Sequence, residues 1–100
     1  MSLPYVSLNA VTSTGAGNAR DLETVQANHT LIMSATGSPS GFVVRLEGSH
    51  DGSTWLDLGA ATEETLAVTV NTHLVRYVRA RLASVTGGSS PTVTATIASR

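Results

Sequence analysis

The sequence predicts an all-β fold, an antiparallel β-sandwich of seven or eight short strands with jelly-roll or immunoglobulin-like connectivity. Three observations predict it. Segments with a period of two recur along the chain, separated by Gly, Ser, Pro and Asn turn signals. One stretch, Gly41 to Gly59, reads as a complete β-hairpin around Ser49-His50-Asp51-Gly52-Ser53. No segment carries a sustained helical period; in His73 to Ser84 the arginines at 76, 79 and 81 do not separate from the apolar residues onto two helical faces.

Taken in order, Met1 to Asn9 forms an edge strand or an extended arm, because Pro4 lacks the N–H that a central strand needs. Residues 10–100 then form a single sandwich domain. Val11 to Asn18 is small and loop-like, and Arg20 to Val25 reads as a short strand. Ala27 to Ala35 is a strand with Leu31, Met33 and Ala35 on one face, closed by the Thr36–Ser40 turn.

In the hairpin, Phe42, Val44 and Leu46 alternate with Val43, Arg45 and Glu47. Asp51 is placed to accept hydrogen bonds from its own turn, and Gly52 to take the positive φ of a tight reversal. Thr54 to Leu58 resumes the alternation, and Trp55, the only Trp, is expected in the core with Phe42 and Met33. Ala60 to Thr65 tolerates a helix but is too short to hold one. Leu66 to Val70 is a strand, Asn71-Thr72 a turn, and His73 to Ser84 the longest strand. Its Val78, Ala80 and Leu82 point inward, and Tyr77, Arg79 and Arg81 outward. After the Val85–Ser90 turn, Pro91 to Ala98 closes the chain with Val93, Ala95 and Ile97 inward.

Composition narrows the function classes. There is no Cys, so disulfides and thiolate metal sites are absent. No apolar run spans a bilayer, and the first residues lack the basic patch and apolar core of a signal peptide. A net charge of -1 with no Lys argues against nucleic-acid binding, which rests on many phosphate contacts. Charged residues are only 13% of the chain, about half the usual share, leaving a small, neutral, Ser/Thr-rich surface suited to lying against other protein.

No catalytic constellation stands out. Ser49, His50 and Asp51 are neighbours in one turn, whereas a nucleophile–base–acid relay needs the base between the other two in space. His29, His50 and His73 sit in separate segments without ligand spacing, and Glu47, Asp51 and Asp57 lack a calcium-loop pattern. The reading is therefore not an enzyme, with no cofactor and no metal. Arg79 and Arg81, two residues apart on one face with Tyr77, require acidic partners across the sheet, Glu47 or Asp57, or else form a contact face for another protein.

Three resemblances are present, and the second and third carry the functional expectation. Ser49-His50-Asp51-Gly52-Ser53-Thr54-Trp55 resembles the Asp-box hairpin of sialidase-type propellers, one residue short and present once, where a propeller needs repeated blades. Paired with Val75-Arg76-Tyr77-Val78-Arg79, the same hairpin looks like that of discoidin (coagulation factor 5/8 C-type) sandwiches. Residues 40–100 are also similar to small structural proteins of tailed bacteriophages. The shared segments are Arg45–Gly59 (RLEGSHDGSTWLDLG), Arg76–Leu82 (RYVRARL) and Pro91–Ala98 (PTVTATIA). That likeness implies a capsid decoration protein on the virion exterior, made in the host cytoplasm, that binds the major capsid protein and stabilises the head. It also implies a homo-oligomer, with a trimer favoured. The expected contact residues are Leu3, Pro4 and Tyr5 in an arm, and Tyr77, Arg79 and Arg81 on a strand face. The rival expectations are a carbohydrate- or host-binding module of a phage tail, drawn from the discoidin likeness, and a tail-tube or connector protein.

Overall fold

A computed structural model of the chain describes residues 4–100. Among the described residues nine strands follow one another: β1 Tyr5–Val11, β2 Gly15–Ala16, β3 Arg20–Gln26, β4 His29–Thr36, β5 Gly41–Ser49, β6 Leu56–Thr62, β7 Ala67–Val70, β8 Val75–Thr86 and β9 Thr92–Ser99. They make two antiparallel sheets. Sheet A has the order β1-β9-β4-β7, and sheet B the order β2-β8-β5-β6, with β3 also pairing β8. The two-residue β2 and the longer β3 share one edge of β8, so together they act as one interrupted strand. Apart from the β5–β6 hairpin and the β2–β3 pair on β8, successive strands lie in opposite sheets. That is jelly-roll connectivity, one of the two expected.

The inner faces follow the alternation read from the sequence. Sheet B contributes Val44, Leu46, Val78, Ala80 and Leu82, each without exposure, and sheet A answers with Leu8, Leu31, Met33, Val93, Ala95 and Ile97. Each large aliphatic buried here contributes roughly 1.5–3 kcal/mol relative to leaving it in water. His29 is buried at the end of this core, and desolvation lowers its pKa. Its Nε2 lies 3.2 Å from the His73 carbonyl and its Nδ1 2.8 Å from the Ser99 hydroxyl.

Two expectations change. Trp55 is absent from the buried core and stands half-buried on the outer side of sheet B. The strand after the hairpin continues past Gly59 to Thr62, because a bulge at Leu46/Glu47 lets Ala60 and Ala61 keep pairing with β5. Of the two readings of the N-terminal segment the structure has the edge strand: β1, at the edge of sheet A, pairs within the chain to β9 through Tyr5, Val6, Leu8 and Val11, and it runs two residues beyond Asn9.

Strand β1 also ties the two sheets together. Between β2 and β3 the chain leaves the edge of β8 without a strand partner at Ala80. There the Ala80 N–H donates to Ser7 Oγ at 2.8 Å, while its carbonyl accepts from the Gly17 N–H at 2.7 Å. The approach requires glycine at 17, since a Cβ there would lie 2.2 Å from the Ser7 carbonyl oxygen.

Candidate interaction face

The expected contact residues Tyr77, Arg79 and Arg81 lie together on the outer face of sheet B. Register places Glu47 opposite Arg79, and Arg45 opposite Arg81, on the neighbouring strand β5. Asp57 pairs with Glu47 from β6. Arg79 Nε donates to Glu47 Oε1 at 2.7 Å, and Arg81 reaches the other carboxylate oxygen at 3.8 Å. Arg45 Nη1 donates to Asp57 Oδ2 at 2.6 Å. The acidic partners expected from the sequence are therefore present across the sheet.

The guanidinium of Arg79 also covers Trp55, 4.1 Å from the ring centroid. The sequence carried a signal for this position: Trp55 is in phase with Asp57, which faces outward, and out of phase with Leu56 and Leu58. Glu47 and Arg79 are well covered, at 9% and 22% side-chain exposure, whereas Arg81 remains 53% exposed. Arg81 meets a like charge directly across the sheet, Arg45, and shares a carboxylate already held by Arg79. It is the arginine of this face with charge left to offer.

At the hairpin end, Asp51 Oδ1 accepts from the Ser53 and Thr54 N–H groups at 2.8 Å each and from the Ser49 hydroxyl at 2.9 Å. These bonds to the charged form pull its pKa down to about 2. Gly52 takes φ 79°, as the turn requires, and its Cα faces the Tyr77 ring. Arg76 grips Asp21 through Nε and Nη2 at 2.8 and 3.0 Å, which lowers the carboxyl pKa. His50 Nε2 donates to the Leu74 carbonyl at 2.7 Å. Gly48, Ser49, His50, Asp51, Thr54, Leu56 and Val75 line an open cavity of about 410 Å³ beside this turn.

The N-terminal contact residues are placed differently. Leu3 lies outside the described residues, and Pro4 is exposed. Tyr5 is half-buried; its hydroxyl donates to the Val78 carbonyl at 2.8 Å, and burial pushes its pKa up to about 12. Among the described residues no three His, Asp or Glu side chains converge as a metal site. His29 and His73 meet through a ring nitrogen and a carbonyl, and His50 belongs to the hairpin turn.

No family model matches the chain, and no curated protein matches it in sequence. Solved structures do share its fold. The SPBc2 prophage-derived protein YomS superposes with a TM-score of 0.61 at 15% identity, covering 100% of this chain and 97% of that one. The PBSX exported protein XepA gives a TM-score of 0.65 at 18% identity, covering 96% of this chain but only 37% of its own. The C-terminal domain of a chitobiase from Bacteroides fragilis gives 0.55 at 20% identity, with 100% and 66% coverage. This jelly roll is thus similar in fold to prophage-derived proteins and to a domain of a carbohydrate-active enzyme.

Proposed function

We propose that this chain is a non-enzymatic structural protein of a tailed-phage particle. It binds the shell of the major capsid protein from outside, as a homo-oligomer, and stabilises the head. The observation that carries this reading is the near end-to-end fold correspondence with prophage-derived YomS. The sheet B face supports it: Arg81 and Tyr77 are presented by a rigid strand, with Arg79 held in place by Glu47 and Trp55. Each such contact is weak alone, and repetition over a symmetric shell multiplies its effect.

A second reading, a sugar-binding module on a tail, draws on the fold likeness to the chitobiase domain and on the cavity lined by Ser49, His50, Asp51 and Thr54. Quantitative mass spectrometry of purified particles of the encoding phage separates the two. Copy number comparable to the shell protein is the expected result. A handful of copies per particle moves the protein to the tail and makes glycan binding the next assay. Absence from particles overturns both readings.

A further inference from the structure

The chain has aspartates at 21, 51 and 57, and of these Asp51 is the one followed by glycine; Leu22 and Leu58 follow the other two. An Asp-Gly step is prone to cyclise, because glycine has no Cβ to shield its amide nitrogen from the preceding carboxyl carbon. Residues His50 to Thr54 are exposed, so water reaches this step. Ser49, at the end of β5, is buried at 3% exposure, and its hydroxyl is fully used. It accepts from the Gly52 N–H at 2.9 Å and from the Asp51 N–H at 3.2 Å, and it donates to Asp51 Oδ1 at 2.9 Å.

We propose that Asp51–Gly52 is a latent modification site, where aspartate rearranges to isoaspartate, and that the Ser49 hydroxyl holds this step closed in the fold. The Gly52 nitrogen loses its proton and bonds to Asp51 Cγ, and the hydroxyl of the protonated carboxyl leaves with that proton as water. The cyclic imide then takes water back at the Asp51 backbone carbonyl carbon, and the bond from that carbon to the Gly52 nitrogen breaks. The chain now runs through Cγ, one methylene longer, with the new carboxylate on the Asp51 Cα.

The turn opposes both requirements of this reaction. The nitrogen must shed a proton that is directed at Ser49 Oγ. The carboxyl must be neutral for its oxygen to leave, yet Oδ1 accepts from the Ser53 and Thr54 N–H groups at 2.8 Å each as well as from Ser49. With a pKa of about 2 against an ordinary 3.8, the neutral form is roughly sixtyfold rarer at any pH above both values. Ser49 enters both requirements, and opening of the turn releases both together. Rearrangement takes the carboxylate away from the Ser53 and Thr54 N–H groups. It also adds a methylene next to Gly52, where a Cβ would lie 3.6 Å from the Tyr77 ring. The modification therefore reaches the face proposed for shell contact, although its test does not depend on that reading.

The experiment is incubation of the purified protein at neutral pH, folded and in urea, with isoaspartate located by peptide mass spectrometry. In urea it is expected at residue 51 ahead of 21 and 57. In the fold it is expected to form more than about tenfold more slowly, since it waits on opening of the turn. Ser49→Ala, with its fold verified by circular dichroism, is expected to raise the folded rate about fivefold or more, the worth of one hydrogen bond. Should Ser49→Ala fail to fold, Asp51→Asn repeats the test, because Asn-Gly expels ammonia through the same imide and needs no neutral carboxyl. Its deamidation isolates the hold on the Gly52 nitrogen and is again expected to be more than about tenfold slower in the fold than in urea. A smaller difference in any of these comparisons overturns the proposal. So does isoaspartate that forms at Asp21 or Asp57 as fast as at Asp51.

Discussion

Arg79 is held from two directions, its guanidinium 4.1 Å from the centroid of the Trp55 ring and its Nε bonded to Glu47 at 2.7 Å. One side chain thereby joins the hairpin to the longest strand and neutralises a carboxylate that is almost covered. Among the described residues the ion pair of Arg81, two residues along, is the 3.8 Å contact with that same carboxylate. The pair separates a structural arginine from an available one.

Arg79→Ala is accordingly expected to cost about 2 kcal/mol, since it strands the covered charge of Glu47 and uncovers Trp55. Arg81→Ala is expected to cost under about 0.5 kcal/mol, as for an exposed ion pair. Urea unfolding followed by Trp55 fluorescence measures both. Equal costs would show that the 2.7 Å contact does not distinguish them.

Trp55→Ala is expected to cost about 1–2 kcal/mol, because the ring is half-buried and loses one cation–π contact. Leu46→Ala, at a site with no exposure, is expected to cost about 2–5 kcal/mol through transfer and cavity terms. A Trp55 cost matching that of Leu46, with both variants followed by circular dichroism in urea, would return the indole to the core.

Truncation separates an arm from a strand. Removing residues 1–4 is expected to leave cooperative unfolding intact, because the pairing with β9 among the described residues runs from Tyr5 to Val11 and is kept. Removing residues 1–8 takes away Leu8 from the core, the Ser7 bond to Ala80 and the Tyr5 bond to Val78, and bares the edge of β9. Loss of cooperative melting by circular dichroism is the expected outcome; an unchanged melt would make the first eight residues an accessory.

Acid sensitivity is expected from the hairpin turn. Asp51 titrates at about 2 in the fold against an ordinary 3.8, so its contribution is complete above about pH 4 and is lost as pH falls through about 2. Within that window the unfolded chain binds the proton first. The melting temperature of Asp51→Asn should therefore lie below wild type near neutrality and approach it toward pH 2. A gap constant with pH would mean that the Ser53 and Thr54 N–H groups do not discriminate the charged carboxyl.

Much of the fold was legible locally. The inward set Val78, Ala80 and Leu82, the inward set Val93, Ala95 and Ile97, and the roles of Asp51 and Gly52 followed from a period of two and from turn chemistry. Trp55 went astray because its size suggested burial, although its phase with Asp57 pointed outward. The missed strand at Ala60–Thr62 depends on a bulge set by its partner β5, which no local pattern encodes.

The sequence alone determined where most of the strands run, which side of each of these is apolar, and which of them lack charge, since these depend on neighbours in the chain. Only the tertiary structure decided which strands share a sheet, because β1 with β9, and β5 with β8, are pairings between distant segments chosen by the packing of the whole core. That non-local choice gathers the uncharged strands into sheet A and the arginines and carboxylates onto sheet B, giving the protein two faces of opposite chemistry.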